Sequence, residues 1–309
     1  MVFCDFFTIF QAVVCADYAD NLMAQLRMRP NWKYYEQARI DFTDWGEGAT
    51  NKEDTFLLNQ YRRITNNKLL KKGVMASERA FSMFLNLMRA DVFDAMASGS
   101  TFGSAANMND SQLKALGRFI NIATQRGAFE KGGKFANAIP FLNTFLWSPR
   151  NVASRFQFLW ETGKLLGGGA AYGDKTLCKL FAQELVRYIG GISAAAMFMK
   201  AVAELFRDDD DPPNETEFDS RSSDFLKVRF GNVRMDLTSG LTPILVFGAR
   251  MFSSKTKNSR GQMRESNRLE LMGRFARQKF APAASLVYDI GIAREDFERR
   301  DIDYASLWE

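Results

Sequence analysis

A short alternating stretch, Asp224 to Thr238, constrains the fold of this chain more than any other feature. Apolar and polar residues alternate on both sides of Gly231-Asn232, a pair that suits a two-residue hairpin turn because both residues tolerate positive φ. The turn then sets the cross-strand pairs: Leu226 with Leu237, Lys227 with Asp236, Val228 with Met235, Arg229 with Arg234, and Phe230 with Val233. A slip of one residue would turn every apolar side chain to water, so the sequence predicts one well-defined β-hairpin.

Helical periodicity dominates the rest of the chain, and two strands alone are marginally stable in water. We therefore predict a mainly α fold, a bundle-like array of helices with one β-hairpin (about 224–238) packed on them. The expected parts are an N-terminal helix (1–30), a helical domain (31–206), a linker (207–223), and the hairpin with C-terminal helices (224–309), packed on the helical domain.

Several helix limits can be predicted from caps and apolar spacing. Ser77 is expected to cap one helix, and Asp110 or Ser111 another. A helix should begin at Ser148-Pro149, where a missing N–H costs little, and run to Leu166. The first of these helices should bury an apolar stripe: Phe81, Phe84, Leu85, Leu87, Met88, Val92 and Phe93.

The longest helical pattern runs from Lys175 to Phe206, with apolar residues at helical spacing. Tyr188 to Met199 carries no charge, but a membrane span needs about 20 residues, so we expect a buried helix. A helix lying at a membrane interface is the alternative. The apolar start, Met1 to Ala16, is expected to be a buried amphipathic helix, since it has no basic residue before the apolar run and Asp5 interrupts it, unlike a signal peptide.

The composition removes the commonest catalytic groups but leaves carboxylate pairs, which the sequence cannot place across a cleft. The chain has no histidine, the commonest general base and metal ligand, and its three cysteines form no Cys-x-x-Cys pair. Such cysteines suggest buried thiols in a reducing compartment. There is no Gly-x-Ser-x-Gly stretch either. We therefore predict a protein that is not an enzyme, with no catalytic, cofactor-binding or metal-binding residues.

Two stretches resemble ligand sites only superficially. The glycine-rich run before Lys175 has the spacing of a phosphate-binding loop, but Asp174 lies where it would face phosphate oxygens, and no strand precedes the loop. We expect a loop between helices, with Asp174 capping the next helix and no nucleotide binding. Asp208 to Asp211 lacks the alternating spacing of a calcium loop and is interpreted as a solvated acidic run.

Basic residues accumulate near the C-terminus, where Arg250 to Lys279 holds nine Lys or Arg against two Glu. A basic stripe can bind phosphate backbones without sequence preference, or can simply face solvent. On a helix from Glu265 to Phe280 we expect Leu269, Met272, Phe275 and Phe280 to face the core. The candidate basic contact surface comprises Arg268, Arg274, Arg277, Lys279, Arg150 and Arg155.

Six stretches in order carry a family resemblance. They are Ala38–Phe42 followed by Gly46; Ser77–Phe81 running into Arg89–Phe93; Phe119–Gly127; Trp147–Arg150 with Ser154-Arg155; Ser222–Phe225 with the hairpin; and Phe275–Pro282. This order resembles the C-terminal helical "large polyvalent protein-associated domain" of polyvalent proteins of phages and mobile elements. The likeness covers about residues 36–298, and the chain departs from it at Gln125 and Trp147, where Gly and Phe are expected.

The resemblance implies a module without known catalysis, at the end of long chains whose upstream domains carry the enzymes and which are delivered with the element's DNA. This chain is short for such a protein, so we expect a fragment or a split gene. The expected function is a structural or interaction module of a phage or prophage protein, in the virion or in the host cytoplasm after delivery. Its expected partners are other domains of a parent protein or other virion proteins. A membrane-active ejected virion protein and a non-specific DNA-binding module remain alternatives.

Overall fold

The computed structural model describes residues 16–43, 68–127, 138, 142, 145–146, 148–166, 173–205, 216–230, 233–238, 240–258 and 261–293. The predictions for 1–15, for the turn at 231–232 and for the acidic run 208–211 lie outside these residues. The described chain is mainly helical with antiparallel strand pairs, as predicted. It divides into two compact units, Met1–Leu180 and Phe181–Glu309.

The first unit is an array of helices. Its elements are α1 (Ala16–Arg27), α2 (Trp32–Gln37), α3 (Lys68–Ser98), a 3₁₀ turn (Ala105–Asn107), α4 (Asp110–Ala123), α5 (Pro149–Leu166) and the first turns of α6 (Lys175–Leu205). Helix α3 packs against α1 and α4, and α4 also packs against α2 and α5. The core of the first unit contains Met23, Leu26, Tyr35, Met83, Phe93, Leu116 and Ile120.

Two predicted caps in this unit are wrong, and one predicted helix is confirmed. Ser77 lies inside α3 because the helix already begins at Lys68. The cap of α4 is Asn109, whose side chain accepts from the Gln112 N–H while the Gln112 side chain accepts from the Asn109 N–H. Such a reciprocal pair satisfies two otherwise unpaired donors. Helix α5 spans Pro149–Leu166 as predicted.

The buried face of α3 differs from the predicted apolar stripe. Phe81, Phe84 and Val92 are exposed, although Phe93 is buried. The buried positions recur at spacings of three and four: Met83, Asn86, Ala90, Phe93 and Ala97. Two polar residues, Asn86 and Arg89, lie on this face with no exposed surface. A stripe chosen only from large apolar residues therefore missed the helix orientation.

The second unit contains the predicted hairpin and a second one. Strands β1 (Lys227–Phe230) and β2 (Val233–Asp236) pair antiparallel in the predicted register, which confirms four of the five pairs. Leu226 lies outside the ladder, in a turn conformation with φ of 55°. A shorter pair, β3 (Lys255–Lys257) with β4 (Met263–Glu265), was not predicted from the sequence.

Three more helical elements lie among the described residues of the second unit. They are α7 (Thr242–Ser253), α8 (Arg268–Arg277) and α9 (Pro282–Tyr288), which continues into a π-helical turn (Asp289–Ala293). Helix α7 packs on α8, where the rings of Phe247 and Phe275 stack with centroids 4.3 Å apart. The predicted core face of α8 is half wrong: Leu269 and Met272 are exposed, and Leu271 is buried instead. Leu271 and Phe275, at i and i+4, define the face that packs.

Helix α6 has the predicted extent but not the predicted burial. Its first turns bury Leu177 and Leu180 in the first unit, and Asp174 caps it as expected, accepting from the N–H groups of Thr176 and Leu177 at 2.8 and 3.2 Å. Beyond residue 185 most of its apolar side chains are exposed, so the expectation of a buried helix is wrong for this part.

Candidate functional site

A partly buried non-helical segment, residues 39–43, lies at the centre of the candidate site. It follows α2. The side chains of Ile40 and Thr43 in the segment, and of Ala38 just before it, are all buried. Buried backbone outside helices and sheets must find other hydrogen-bond partners, because an unpaired N–H or C=O would cost stability. The partners of this segment therefore identify what the surrounding side chains do.

Two asparagines bind the backbone of this segment in the same way. The Asn86 side chain accepts from the Thr43 N–H at 3.0 Å and donates to the Thr43 carbonyl at 2.8 Å. The Asn121 side chain accepts from the Asp41 N–H and donates to the Arg39 carbonyl, both at 2.9 Å. Each carboxamide thus offers one donor and one acceptor, as a neighbouring strand would.

Arginines complete the enclosure. Arg89 donates from Nη1 to the Asp41 carbonyl at 2.8 Å and from Nε to Thr124 Oγ1 at 2.9 Å. Arg126 donates from Nη2 to Thr43 Oγ1 at 2.7 Å. We call Asn86, Arg89, Asn121 and Arg126 the polar clamp. Arg150 adds an ion pair with the Asp41 carboxylate at 3.4 Å.

A glycine on α4 allows the segment to approach closely. A Cβ atom built on Gly117 would lie 1.9 Å from the Ala38 carbonyl oxygen, which is far inside van der Waals contact. No residue larger than glycine fits there unless the backbone at Ala38 shifts. Gly117 and the polar clamp therefore fix the same piece of chain, by shape and by hydrogen bonding.

Four of the six stretches behind the family resemblance meet at this segment. They supply Asp41, Arg89, the pair Asn121 and Thr124 with Arg126, and Arg150. Asn86 was missed because the stripe predicted for α3 contained only large apolar residues. Its place in the three-four spacing Met83, Asn86, Ala90, Phe93 was the available signal.

A second polar network ties the α1–α2 connection to the end of α3. The Tyr35 hydroxyl donates to the Asp94 carboxylate at 2.7 Å, Asn31 Nδ2 donates to it at 2.8 Å, and Arg29 pairs with Asp91 at 2.7 Å. Burial, and then the hydrogen bond and negative charge of Asp94, raise the pKa of Tyr35. The phenol therefore stays protonated and acts as a donor, not as a base or nucleophile.

Neither network has the geometry of a reactive site. The polar atoms of the clamp bind backbone and side-chain groups of the protein itself, and none of the contacts described joins a nucleophile to a base. Among the described residues, no group of three or more Cys, Asp or Glu is placed to hold a metal ion. The arrangement stabilises a buried loop.

The residues of the predicted basic surface fall in both units. On α8, Arg268 is exposed and donates to Ser254 Oγ at 3.1 Å, and Arg274 pairs with Glu270 at 2.7 Å. Arg277 is largely buried, with 14% of its side chain exposed, and pairs with Asp289 at 2.7 Å, while the Lys279 ammonium lies 5.1 Å from the Phe275 ring centre. Arg150 and Arg155 lie half-buried on α5 in the first unit.

The second unit has its own tie between chain segments. Arg250, half-buried on α7, donates from Nε to the Arg221 carbonyl at 2.8 Å, and Lys257 pairs with Glu217 at 2.6 Å. Burial, and then the nearby Arg274 charge, lower the pKa of Arg250. Hydrogen bonds from Arg221 lower the pKa of Asp219 to about 2. Residues 217–222, predicted as part of a linker, are thus held against β3.

Comparison with known proteins found no family model that matches this chain and no match among curated proteins or solved structures.

Proposed function

We propose that this chain is a non-enzymatic structural and interaction module of a large polyvalent protein of a phage or prophage, delivered with the element's DNA. The proposal rests on the contacts that side chains of the resembling stretches make. Residues from three of the resembling stretches converge on segment 39–43, most of which belongs to a fourth. Arg89 and Asn121 bind its backbone, and Arg126 and Arg150 bind side chains within it. A set of residues that holds a fold, and not a reactant, is the signature of a structural module.

The disposition of the polar groups supports the absence of catalysis. An active site aims polar groups with perturbed pKa values into a cleft where a substrate can reach them. Here Asn86 and Arg89 have no exposed surface, and Asn121 and Arg126 are also buried. Solvent, and hence substrate, does not reach these side chains in the folded unit.

Exposed aromatic side chains support a role in protein–protein contact. In the first unit, Trp160 on α5 is 67% exposed and Phe81 on α3 is 52% exposed. Large exposed aromatics are the residues that most often supply binding energy at interfaces. We propose other domains of a parent protein, or other virion proteins, as the partners.

The nucleic-acid alternative draws less support from the basic residues. Arg274 and Arg277 form ion pairs, and Lys279 covers an aromatic ring. A phosphate backbone would have to compete with these contacts. We expect no retention of random duplex DNA at low salt in fluorescence anisotropy, and no change on replacing Arg268 and Arg274 with Gln. Binding that falls steeply with salt would favour the DNA-binding alternative instead.

Quantitative mass spectrometry of purified, protease-treated particles tests the proposal. Particles produced from the element that encodes this chain should contain its peptides at a fixed ratio to the capsid protein. An abundant host cytosolic protein, measured in the same preparation, is the control for carry-over. Peptides continuous with Met1 but encoded upstream of it would identify a parent chain.

Two outcomes would contradict the proposal. One is that the peptides occur only in the host cytosol at the level of the control protein. The other is that the purified chain catalyses a reaction with multiple turnovers, and that one surface substitution outside the polar clamp abolishes this activity.

A further inference from the structure

The exposed part of α6 carries an inference that goes beyond the proposed function and does not depend on it. From Val186 to Ala201 the helix is exposed at Val186, Ile189, Met197 and Phe198, with 70%, 55%, 74% and 70% of each residue accessible. Between Tyr188 and Met199 there is no charged residue. A solvent-exposed apolar surface of this kind is unusual on a folded protein and marks a binding surface.

One narrow side of this helix is less exposed than the rest. Tyr188, Ile192, Ala196, Met199 and Ala203 recur at spacings of four and three and are half-buried or buried. The Tyr188 hydroxyl donates to the Thr238 carbonyl at 3.1 Å. At 100° per residue, the exposed positions then span roughly two thirds of the circumference.

The width of the exposed arc decides between two kinds of occupant. A partner helix covers a stripe of about 100°, so a second protein helix would leave much of this arc in water. Hydrocarbon can cover the whole arc at once. Small residues also lie on the arc, and the space around them is open. A Cβ atom built on Gly190 or Gly191 would meet nothing within 4 Å.

Hydropathy points to the same occupant. Among the helices that the structure describes, α6 alone is long and apolar enough for a membrane, with an 18-residue window of mean hydropathy 1.3 and none of that window buried. The uncharged twelve residues extend about 18 Å, less than the roughly 30 Å hydrocarbon core, which favours a helix lying in the interface over one that spans. Arg187 and Lys200 flank this stretch and can reach the headgroups.

We propose that α6 binds a lipid bilayer through the arc around Val186, Ile189, Met197 and Phe198, lying in the interface plane with these side chains in the acyl region. Because Tyr188 to Met199 carries no charged residue, the hydrophobic effect drives the association. Binding should therefore occur on neutral phosphatidylcholine as well as on vesicles that contain phosphatidylglycerol, and salt should change it little.

Vesicle flotation of the full chain tests this proposal. The wild type should float with both kinds of vesicle, and the double variant Met197→Asp, Phe198→Asp should lose at least about tenfold in partition. Met28→Asp, at an 81% exposed apolar residue of the first unit, is the matched control and should float like the wild type. Because all three positions are exposed, urea midpoints should stay unchanged.

A second readout uses the folded chain without added charge. With Cys4, Cys15 and Cys178 replaced by Ser, an environment-sensitive dye on Met197→Cys should shift to the blue when vesicles are added, and the same dye on Met28→Cys should not. An unshifted dye at 197, or flotation of the double Asp variant equal to that of the wild type, would overturn the proposal.

Two further outcomes would contradict the proposal and give the exposed surface of α6 a different role. Binding only to anionic vesicles, abolished by salt, would mean that the basic residues of 250–279 adsorb and that α6 does not insert. A concentration-dependent dimer that the double Asp variant abolishes, without vesicle binding, would show that a second copy of the chain covers the arc.

Discussion

Segment 39–43 in the first unit and the exposed arc of α6 in the second unit reverse the usual distribution of polarity. In the first, asparagine and arginine side chains are buried around a non-helical backbone. In the second, Met197 and Phe198 are in contact with solvent. The clamp side chains make their hydrogen bonds to backbone and side chains of the first region itself, so this region needs no partner from outside the chain. The second region needs an occupant from outside the chain.

Different physical terms govern the two regions. Around 39–43 the loss of one hydrogen-bond partner leaves another group buried and unsatisfied, so a single substitution there should be costly. On the arc of α6 most of each side chain contacts solvent, so a substitution there should affect binding far more than stability. The following substitutions test this contrast, from the largest expected effect to the smallest.

Arg89→Met should lower the free energy of unfolding by about 3 kcal/mol, since the Asp41 carbonyl and the Thr124 hydroxyl lose a charged donor in a buried site. Urea denaturation followed by circular dichroism measures the change. Lys114→Met is the control, because Lys114 pairs with Asp110 at the surface of α4, where such a pair contributes less than about 1 kcal/mol. Equal effects of the two substitutions would remove the distinction between the clamp and an ordinary surface.

Gly117→Ala should destabilise by about 2 kcal/mol, because the new methyl group would force the backbone at Ala38 away from α4. Gly163→Ala on α5 is the matched control: a Cβ there meets nothing within 4 Å, and alanine should stabilise the helix by up to about 1 kcal/mol. Thermal unfolding of both variants gives the two signs directly. A stabilising Gly117→Ala would mean that the close approach does not exist in solution.

Asp174→Ala should cost about 1 kcal/mol at neutral pH, since Asp174 caps the end of α6 that the first unit holds. The Gln112 side chain, first, and the cap N–H groups hold the pKa of Asp174 below its ordinary value. The folded-state pKa is therefore depressed, and the stabilisation is present above the unfolded pKa and lost as the pH falls through the folded one. Denaturation at neutral and acidic pH should show the difference between wild type and variant shrinking with acid; a difference that is independent of pH would rule out an ionised cap.

Phe198→Ala should change stability by less than about 0.5 kcal/mol, whereas Phe93→Ala in the core of the first unit should cost about 4 kcal/mol. The two substitutions delete the same side chain from two helices of 31 residues each. Urea denaturation without lipid compares them. A large loss for Phe198→Ala would show that the arc of α6 is covered by the chain itself.

The β1–β2 register was predictable because side-chain alternation leaves only one pairing that keeps the apolar residues together. The limits of α5 and α6 followed from Pro149 and Asp174, whose effects are local. The face that a helix buries is a tertiary property, which explains the errors on α3, α6 and α8. Phe81 and Leu269 are apolar yet exposed, and Asn86 and Arg89 are polar yet buried.

The candidate site was predictable only in outline. The resembling stretches named Asp41, Arg89, Arg126 and Arg150 without indicating that they meet. Nothing local in the sequence says that residues 39–43 form a buried loop whose backbone lacks partners in a helix or sheet. The hydrogen bonds between Asn86 and the Thr43 backbone arise only because α3 lies beside that loop.

Hydrogen exchange at the backbone amides of Asp41 and Thr43 tests the function of the polar clamp most directly. Both amides lie outside helices and strands, and their acceptors are the side chains of Asn121 and Asn86. If the clamp holds the segment, both should be protected by at least roughly 30-fold, equivalent to about 2 kcal/mol of local opening. Asn121→Ala should then release the Asp41 amide first, and Asn86→Ala the Thr43 amide. Amides that exchange freely in the wild type, or that lose protection only together with the helices in both variants, would contradict the clamp.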